Sequence, residues 1–406
     1  MTPTFATVSK YPPYISGHSH QAFWLNRELA HLLGRPQHQV SYCGSVPAWY
    51  RDEGVVVHEI AASPRANPKV PDGLLLKALS ARLAGLVHDA GVTTLLALYA
   101  DPHADVALRA ARTARLGGGR VSVVVSVEGS DITSSLARHT GDGEAAVLLA
   151  DIMAADVVMA VSRRARQIML DTATQVLQPS AVEDLAARTV VRYPGLPPES
   201  FRRPDPAAIA RWRALHGIRP DQQLISTFVR LVPEKGVGRI LDIAAAARGR
   251  DELVFAIAGT GPQADGLARE VEDLGLSGVR LLGNLSQPQA HLLRSASSLA
   301  LLPSQRSPDW EETFGIAALE YQALGVPVLA TDCPGFRESC AVAEFRLPHE
   351  AEPARWLDRI DEILRWRSAL SQASREFAAG FTSASSAEVL LASVQEASSV
   401  DLALRH

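Results

Sequence analysis

A chain of 406 residues is too long for one ordinary domain and suits two of about 200 each. With 47% hydrophobic and 21% charged residues the composition is globular, which excludes the disordered and low-complexity classes. A formal net charge of −4 argues against nucleic-acid backbones or anionic membranes as partners, because both reward a basic surface.

In chain order, short β-branched runs alternate with longer amphipathic segments. FATVS, QVSYC, VVVHEI, TTLLALY, RVSVVVSV, DVVMAVS and TVVRY read as strands, several of them apolar at consecutive positions as expected when both faces are covered. Helices are expected near 20–33, 71–90, 104–116, 143–155 and 163–173. The segment YPGLPPESFRRPDP concentrates Pro and Gly and reads as a linker over 196–206. The alternation then restarts with LISTFV, LVFAIAG, VRLLG, SLALLPS and PVLATD, and with helices near 237–248, 263–274, 287–296, 315–324 and 353–379. A last helix near 384–399 follows a Gly-Phe-Thr-Ser break. The expected fold class is α/β, two Rossmann-like doubly wound parallel-sheet domains, 1–195 and 207–380, facing across a cleft. Residues 381–406 are expected to pack back toward the first domain.

Three cysteines (Cys43, Cys333 and Cys340) in no C-x-x-C arrangement fit a reducing compartment. The N-terminus lacks the basic-then-apolar form of a signal peptide, and no window offers about 18 uninterrupted apolar residues. A soluble, cytoplasmic chain is expected.

The richest window is PSQRSPDWEETFGIAALEYQALGVPVLATDCPG, 303–335. A strand runs into a loop carrying Glu311 and Glu312, then Thr313-Phe314-Gly315 opens a helix, and Glu320 completes an E-x7-E spacing. The unpaired amides and positive dipole end of that helix suit a diphosphate, and Gly315 admits a ligand close to the backbone. The two glutamates would then stand beside the two ends of such a ligand and accept from its hydroxyls, Glu312 being a loop carboxylate that carries little packing. The plain alternative is a capping Glu312 and a solvated Glu320. In FVRLVPEKGVGRI, Arg230 and Lys235 flank a loop at the end of a parallel strand, where α/β folds gather anions. Only four of the 40 basic residues are lysines, and Lys235 is the only one after residue 77. The plain alternative is a solvated loop.

AGTGPQADG contains a partial dinucleotide fingerprint, but Pro262 and the lack of a ribose-binding acid after the next strand favour a tight strand-to-helix turn. YISGHSHQ places Gly17, His18 and His20 after the first strand, and SVEGSDIT places Glu128 and Asp131 after a later one. His18 and His20 could bind phosphate or relay a proton, or be solvent-exposed loop residues, and Asp131 could cap a helix. Arg109, Arg112 and Arg115 line one helix and read as a solvated face. The absence of D-x-D, H-E-x-x-H, G-x-x-x-x-G-K-[ST] and G-x-S-x-G removes the usual support for metal, P-loop and hydrolase readings.

RLVPEKG, AGTGP, PS…EETFGIAALE and ALGVPVLATDCPGFRE, in that order, resemble the retaining GT-B enzymes of glycosyltransferase family 4, and YPPYISG, EGSDI and YPGLPPESF resemble that family's N-terminal segments and linker. The resemblance implies a metal-independent hexosyltransferase with a nucleoside-diphosphate-sugar as co-substrate and no other cofactor. It implies that Arg230, Lys235, Gly259 and the Thr313-Phe314-Gly315-Ile316 segment hold the donor, that Glu312 contacts the sugar and Glu320 the ribose, and that Gly17 lets a loop close on the phosphates. Catalytic roles then fall to Glu312, Arg230, Lys235 and Glu128, and acceptor contacts to His18, His20, Glu128 and Asp131. Three positions depart from the family: Glu128 stands where it usually has His, Val229 where it has Gly, and Ser16-Gly17 where two glycines are common. The expected partners are a nucleotide sugar and a small-molecule acceptor, such as a natural product or thiol, with no nucleic acid and no strong membrane signal. A cell-envelope lipid or polysaccharide acceptor, a catalytically silent nucleotide-sugar-binding subunit and a homodimer stay open.

Overall fold

The computed structural model describes residues 2–12, 17–61, 71–129, 131–133, 144–307 and 310–403. The side chains of residues 18, 144 and 400–403 lie outside that description. The chain forms two compact units, residues 1–195 together with 383–406, and residues 196–382.

The first unit is a parallel sheet of seven strands: β1 Phe5–Val8, β2 Gln37–Ser41, β3 Val55–Glu59, β4 Thr94–Leu98, β5 Ser122–Val127, β6 Val157–Ala160 and β7 Thr189–Val191. Their order is β3-β2-β1-β4-β5-β6-β7, with Val8 paired to Val40 on one side and to Ala97 on the other. The direction of strand succession therefore reverses between β1 and β4. Strands β1, β2, β4 and β6 are buried at every residue because helices cover both faces; this explains the apolar runs of β4 and β6, while β2 buries the polar Gln37, His38 and Gln39. Helices Gly73–Asp89 and Ala100–Leu116 bury Leu79, Leu83, Ala104, Ala107 and Ala111 against one face. The small alanines let the second helix lie close to the sheet. Asp72 caps the first of these helices by accepting from the Leu75 amide at 2.8 Å.

The second unit is a parallel sheet of six strands: β8 Gln223–Phe228, β9 Leu253–Ala258, β10 Val279–Gly283, β11 Leu299–Leu302, β12 Val328–Thr331 and β13 Arg346–Leu347. The order β10-β9-β8-β11-β12-β13 reverses between β8 and β11. Trp356 is fully buried and anchors helix Pro353–Arg365 in the core formed with Ile225, Ile257, Leu301 and Leu329.

Several elements differ from the sequence reading. The segment expected as a linker folds as part of the second unit. Leu196 is fully buried and its amide donates to the Phe381 carbonyl at 2.9 Å. Pro206 then starts helix Pro206–Leu215, since proline at the first turn forfeits no hydrogen bond. Helix Pro179–Arg188, also opened by proline, was absent from the sequence reading. The long helix expected over 353–379 is two, Pro353–Arg365 and Arg367–Ala378, parted at Trp366. Helix Ser383–Ala403 belongs to the first unit, where Ser383 donates to Glu28 at 2.9 Å. The arginine row of helix Ala100–Leu116 is partly spent within the unit: Arg109 pairs with Asp105 and Arg115 with Asp156. Among the described residues no helix is long and apolar enough to cross a membrane.

Candidate active site

In an open parallel sheet the chains leaving two strands of opposite succession go on to cover opposite faces, so the carboxyl edge at that point is where ligands gather. In the second unit the strands at that point are β8 and β11. The loop after β8 carries Arg230 and Lys235, and the loop after β11 carries Glu311 and Glu312. The structure brings Lys235 and Glu312 together: the ammonium donates to Glu312 Oε2 at 2.6 Å, across 77 positions of sequence. The pair is largely buried, with side chains 17% and 12% exposed. The same ammonium stands 4.7 Å from the centroid of the Trp310 ring, an arrangement the ring quadrupole favours. Glu312 is thus a paired and buried carboxylate, which corrects the expectation that it carries little packing. Arg230 is exposed, and its guanidinium makes no hydrogen bond or ion pair among the described residues.

Backbone contacts hold this arrangement. The Gln305 amide donates to the Glu234 carbonyl at 2.8 Å, and the Gly335 amide to the Glu312 carbonyl at 3.1 Å. Gly236 has a φ of 64°, and a Cβ there would stand 1.9 Å from the Pro303 carbonyl oxygen. Only glycine lets the two loops touch. Gly259, expected to meet the donor, is required for a different contact: a Cβ there would lie 1.8 Å from the Val229 carbonyl oxygen. The loop after β9 is pressed against the loop that carries Arg230, and the Leu231 amide donates to the Thr260 carbonyl at 2.8 Å. The glycines of AGTGP serve loop-to-loop packing.

Thr313 and Phe314 are buried, the latter 5.8 Å from the Phe381 ring. Gly315, at φ 80°, precedes helix Ile316–Gln322, shorter than the helix expected over 315–324. Glu320 on that helix accepts from the Arg294 guanidinium at 2.7 Å, so it is not the solvated helix residue of the plain reading. Arg294 and Trp310 escaped the sequence reading. The signal for Arg294 was a charge on the buried face of an amphipathic helix, next to Ala290 and Leu293.

In the first unit Glu128 and Asp131 follow β5. Asp131 is 1% exposed and accepts from three backbone amides, Ala100 at 2.7 Å and Glu128 and Ile132 at 3.1 Å. It ties the loop after β5 to the loop after β4, and this buried engagement replaces the acceptor contact expected from sequence. Glu128 Oε1 accepts from Ser126 at 3.2 Å and lies 3.8 Å from the guanidinium of Arg192. Arg192, just after β7, is buried and donates to Ser386 of helix Ser383–Ala403 at 2.7 Å. The sequence offered it as one more cation at the end of a parallel strand, and it passed as part of the strand. Burial lifts the Glu128 carboxyl from 4.5 to about 7, with Arg192 opposing and Asp131 adding to the rise. Burial likewise lifts Asp131 to about 6 against its amide donors.

Helix Gly17–Leu33 starts earlier than expected and takes in both Gly17 and His20. His20 Nδ1 is 2.9 Å from the Tyr50 hydroxyl, and its ring stacks on Trp24 at 5.9 Å. His20 is therefore part of an aromatic cluster. The His18 side chain lies outside the described residues.

Two outcomes follow from this geometry. Gly236→Ala is expected to destabilise the protein by about 3 kcal/mol, more than the left-handed φ alone costs, because the loops must separate; urea unfolding measures it. Because the folded state holds the Glu128 proton more tightly than the unfolded chain, that carboxyl's contribution to stability is complete at low pH and drains away as pH rises from about 4.5 to about 7. Wild-type stability is therefore expected to fall relative to Glu128→Gln between pH 5 and pH 8, and a constant difference between the two would contradict the burial argument.

Residues 208–377 match the family described as glycosyl transferases group 1. A D-inositol 3-phosphate glycosyltransferase of Frankia alni is 34% identical over 227 residues, 52% of this chain and 53% of that protein. The Mycolicibacterium smegmatis protein of the same name is 34% identical over 54% of this chain and 50% of its own length. The chain thus spans about half the length of these curated relatives. Among solved structures, Anabaena Alr3699/HepE in complex with UDP and glucose superposes with a TM-score of 0.74 at 16% identity, covering 97% of this chain and 99% of that one. Sucrose-phosphate synthase from Thermosynechococcus elongatus superposes with a TM-score of 0.73 at 17% identity, covering 98% and 100%. Residues 208–377 are thus similar to the glycosyl transferases group 1 family, and the two parallel-sheet units make the GT-B fold.

Proposed function

We propose that this chain is a retaining glycosyltransferase that moves a sugar from a nucleoside diphosphate to a hydroxyl or thiol of a small soluble acceptor. The observation that carries the reading is the Lys235–Glu312 contact at the β8/β11 reversal, a cation able to bind phosphate beside a carboxylate able to accept from hydroxyls. Exposed Arg230 adds a fork for phosphate oxygens. The names of the curated relatives, which specify D-inositol 3-phosphate, support a small polar acceptor. The UDP and glucose bound to the Anabaena protein support a nucleotide-sugar donor.

In this reading Arg230 and Lys235 hold the diphosphate, Glu312 takes the sugar hydroxyls and Glu320 the ribose. As the bond from the anomeric carbon to the phosphate oxygen breaks, negative charge develops on the leaving diphosphate, and the two cations stabilise it. The acceptor oxygen or sulfur bonds to the same face of that carbon, and its proton passes to the leaving phosphate oxygen. In this reading the two cations supply the charge stabilisation that a metal ion would otherwise provide. In the first unit Glu128, a carboxyl that burial lifts to about 7, is the group this reading assigns to the acceptor.

The test is incubation with UDP-, GDP- and dTDP-sugars together with inositol phosphates and low-molecular-weight thiols, following nucleotide release and product anomer by NMR. Acceptor-dependent release with retained configuration is the expected result, and an inverted product or binding without turnover would overturn the reading. Lys235→Ala is expected to weaken UDP or GDP binding by about tenfold or more while leaving the matching nucleoside within about twofold, as for loss of one charge-assisted hydrogen bond. Glu312→Gln is expected to lower kcat by about 100-fold or more, with a smaller loss of stability than Glu312→Ala because the amide still occupies the space beside Lys235.

A further inference from the structure

Arg294 lies on helix Gln287–Ala296, 26 positions before Glu320, and its side chain is 7% exposed. Its guanidinium is sandwiched: the Phe228 ring stands 5.2 Å away, and Nη2 donates to Glu320 Oε2 at 2.7 Å. Its Nε is buried with no hydrogen-bond partner. As a stabilising device this is poor. Burying a guanidinium and a carboxylate costs solvation that their attraction only offsets, and the unpaired Nε adds to the cost.

The arrangement does fix a geometry. Glu320 sits on a short helix at the carboxyl edge of the sheet, with its side chain 16% exposed. Oε2 is occupied by Arg294, while Oε1 accepts no hydrogen bond among the described residues. A carboxylate anchored by one oxygen loses its rotamer freedom before a ligand arrives and keeps the other oxygen as an acceptor. Neighbouring Tyr321 is also immobilised, its hydroxyl 2.8 Å from Ser226 Oγ. Phe228 ends β8 and so ties this guanidinium to the strand whose loop carries Arg230 and Lys235.

We propose that Arg294 is a positioning residue that presets Glu320 to accept from a ribose hydroxyl of the donor nucleotide, and so sets the preference for ribonucleotides over deoxyribonucleotides. The proposal rests on the assignment of Glu320 to the ribose in the proposed function. Preorganisation of this kind acts on ligands that carry the hydroxyl and leaves those that lack it untouched.

The experiment measures, by calorimetry, the binding of UDP and GDP and of their 2′-deoxy and 3′-deoxy counterparts to the full chain, with Arg294→Met, Arg294→Lys and Glu320→Gln as variants. In the wild type the ribonucleotide is expected to bind about tenfold or more tightly than at least one deoxy counterpart, the worth of a hydrogen bond to a charged group. Arg294→Met is expected to reduce that preference to within about twofold by weakening ribonucleotide binding alone, as Glu320→Gln does, and Arg294→Lys is expected to restore most of it. A merely structural role predicts equal losses for ribo and deoxy ligands, and that result would overturn the proposal. If Glu320→Gln erases the preference while a folded Arg294→Met retains it, the positioning role falls and the ribose assignment stands. If the wild type binds none of the diphosphates, or binds ribo and deoxy forms alike, the ribose assignment falls and this inference falls with it.

Discussion

All strands in each of the two sheets run in parallel, so every strand delivers its following loop to the same edge. That constraint makes a site from residues far apart in sequence. In the second unit the order β10-β9-β8-β11-β12-β13 sets the loops after β8 and β11 side by side. The cation of one loop then meets the carboxylate of the other at 2.6 Å. Burial supplies the frame: β9 and β11 have no exposed residue, so the edge at which they end is fixed by the core beneath it. Glycines at 236 and 259 close the loops against each other because a side chain at either place would collide with a carbonyl oxygen.

The first unit uses the same edge differently. Its order reverses between β1 and β4, and the loops after β4 and β5 are laced by Asp131, whose carboxylate is spent on backbone amides. That lacing holds the backbone of Glu128 while Ser126 and Arg192 stand beside its carboxyl. The division is clear: Asp131 is frame, and Glu128 is the titratable group the frame presents. Arg192 connects this group to helix Ser383–Ala403 through Ser386, so the last helix of the chain is part of the support for a residue near position 130.

The α/β class and the course of most strands were legible because consecutive apolar residues mark strands covered on both faces, as in LVFAIA of β9. Elements of marginal length were not. β13 has two residues, and helix Pro334–Ser339 has six, too few for any period to register. At the site, Lys235, Glu312 and Glu320 stood out through charge in an informative place. Their partners did not, because Arg294 and Arg192 look like ordinary arginines until the fold removes them from water. Gly259 was legible as part of a tight strand-to-helix turn, but the neighbouring Val229 carbonyl that requires a glycine there is visible only in the tertiary structure.

The ion pair at the β8/β11 reversal means that the pocket carries its own counter-charge. An incoming anion does not meet a bare ammonium but one already donating to a carboxylate at 2.6 Å. One of its three N–H groups is committed to Glu312, so the charge at this edge of the sheet is half balanced before anything arrives.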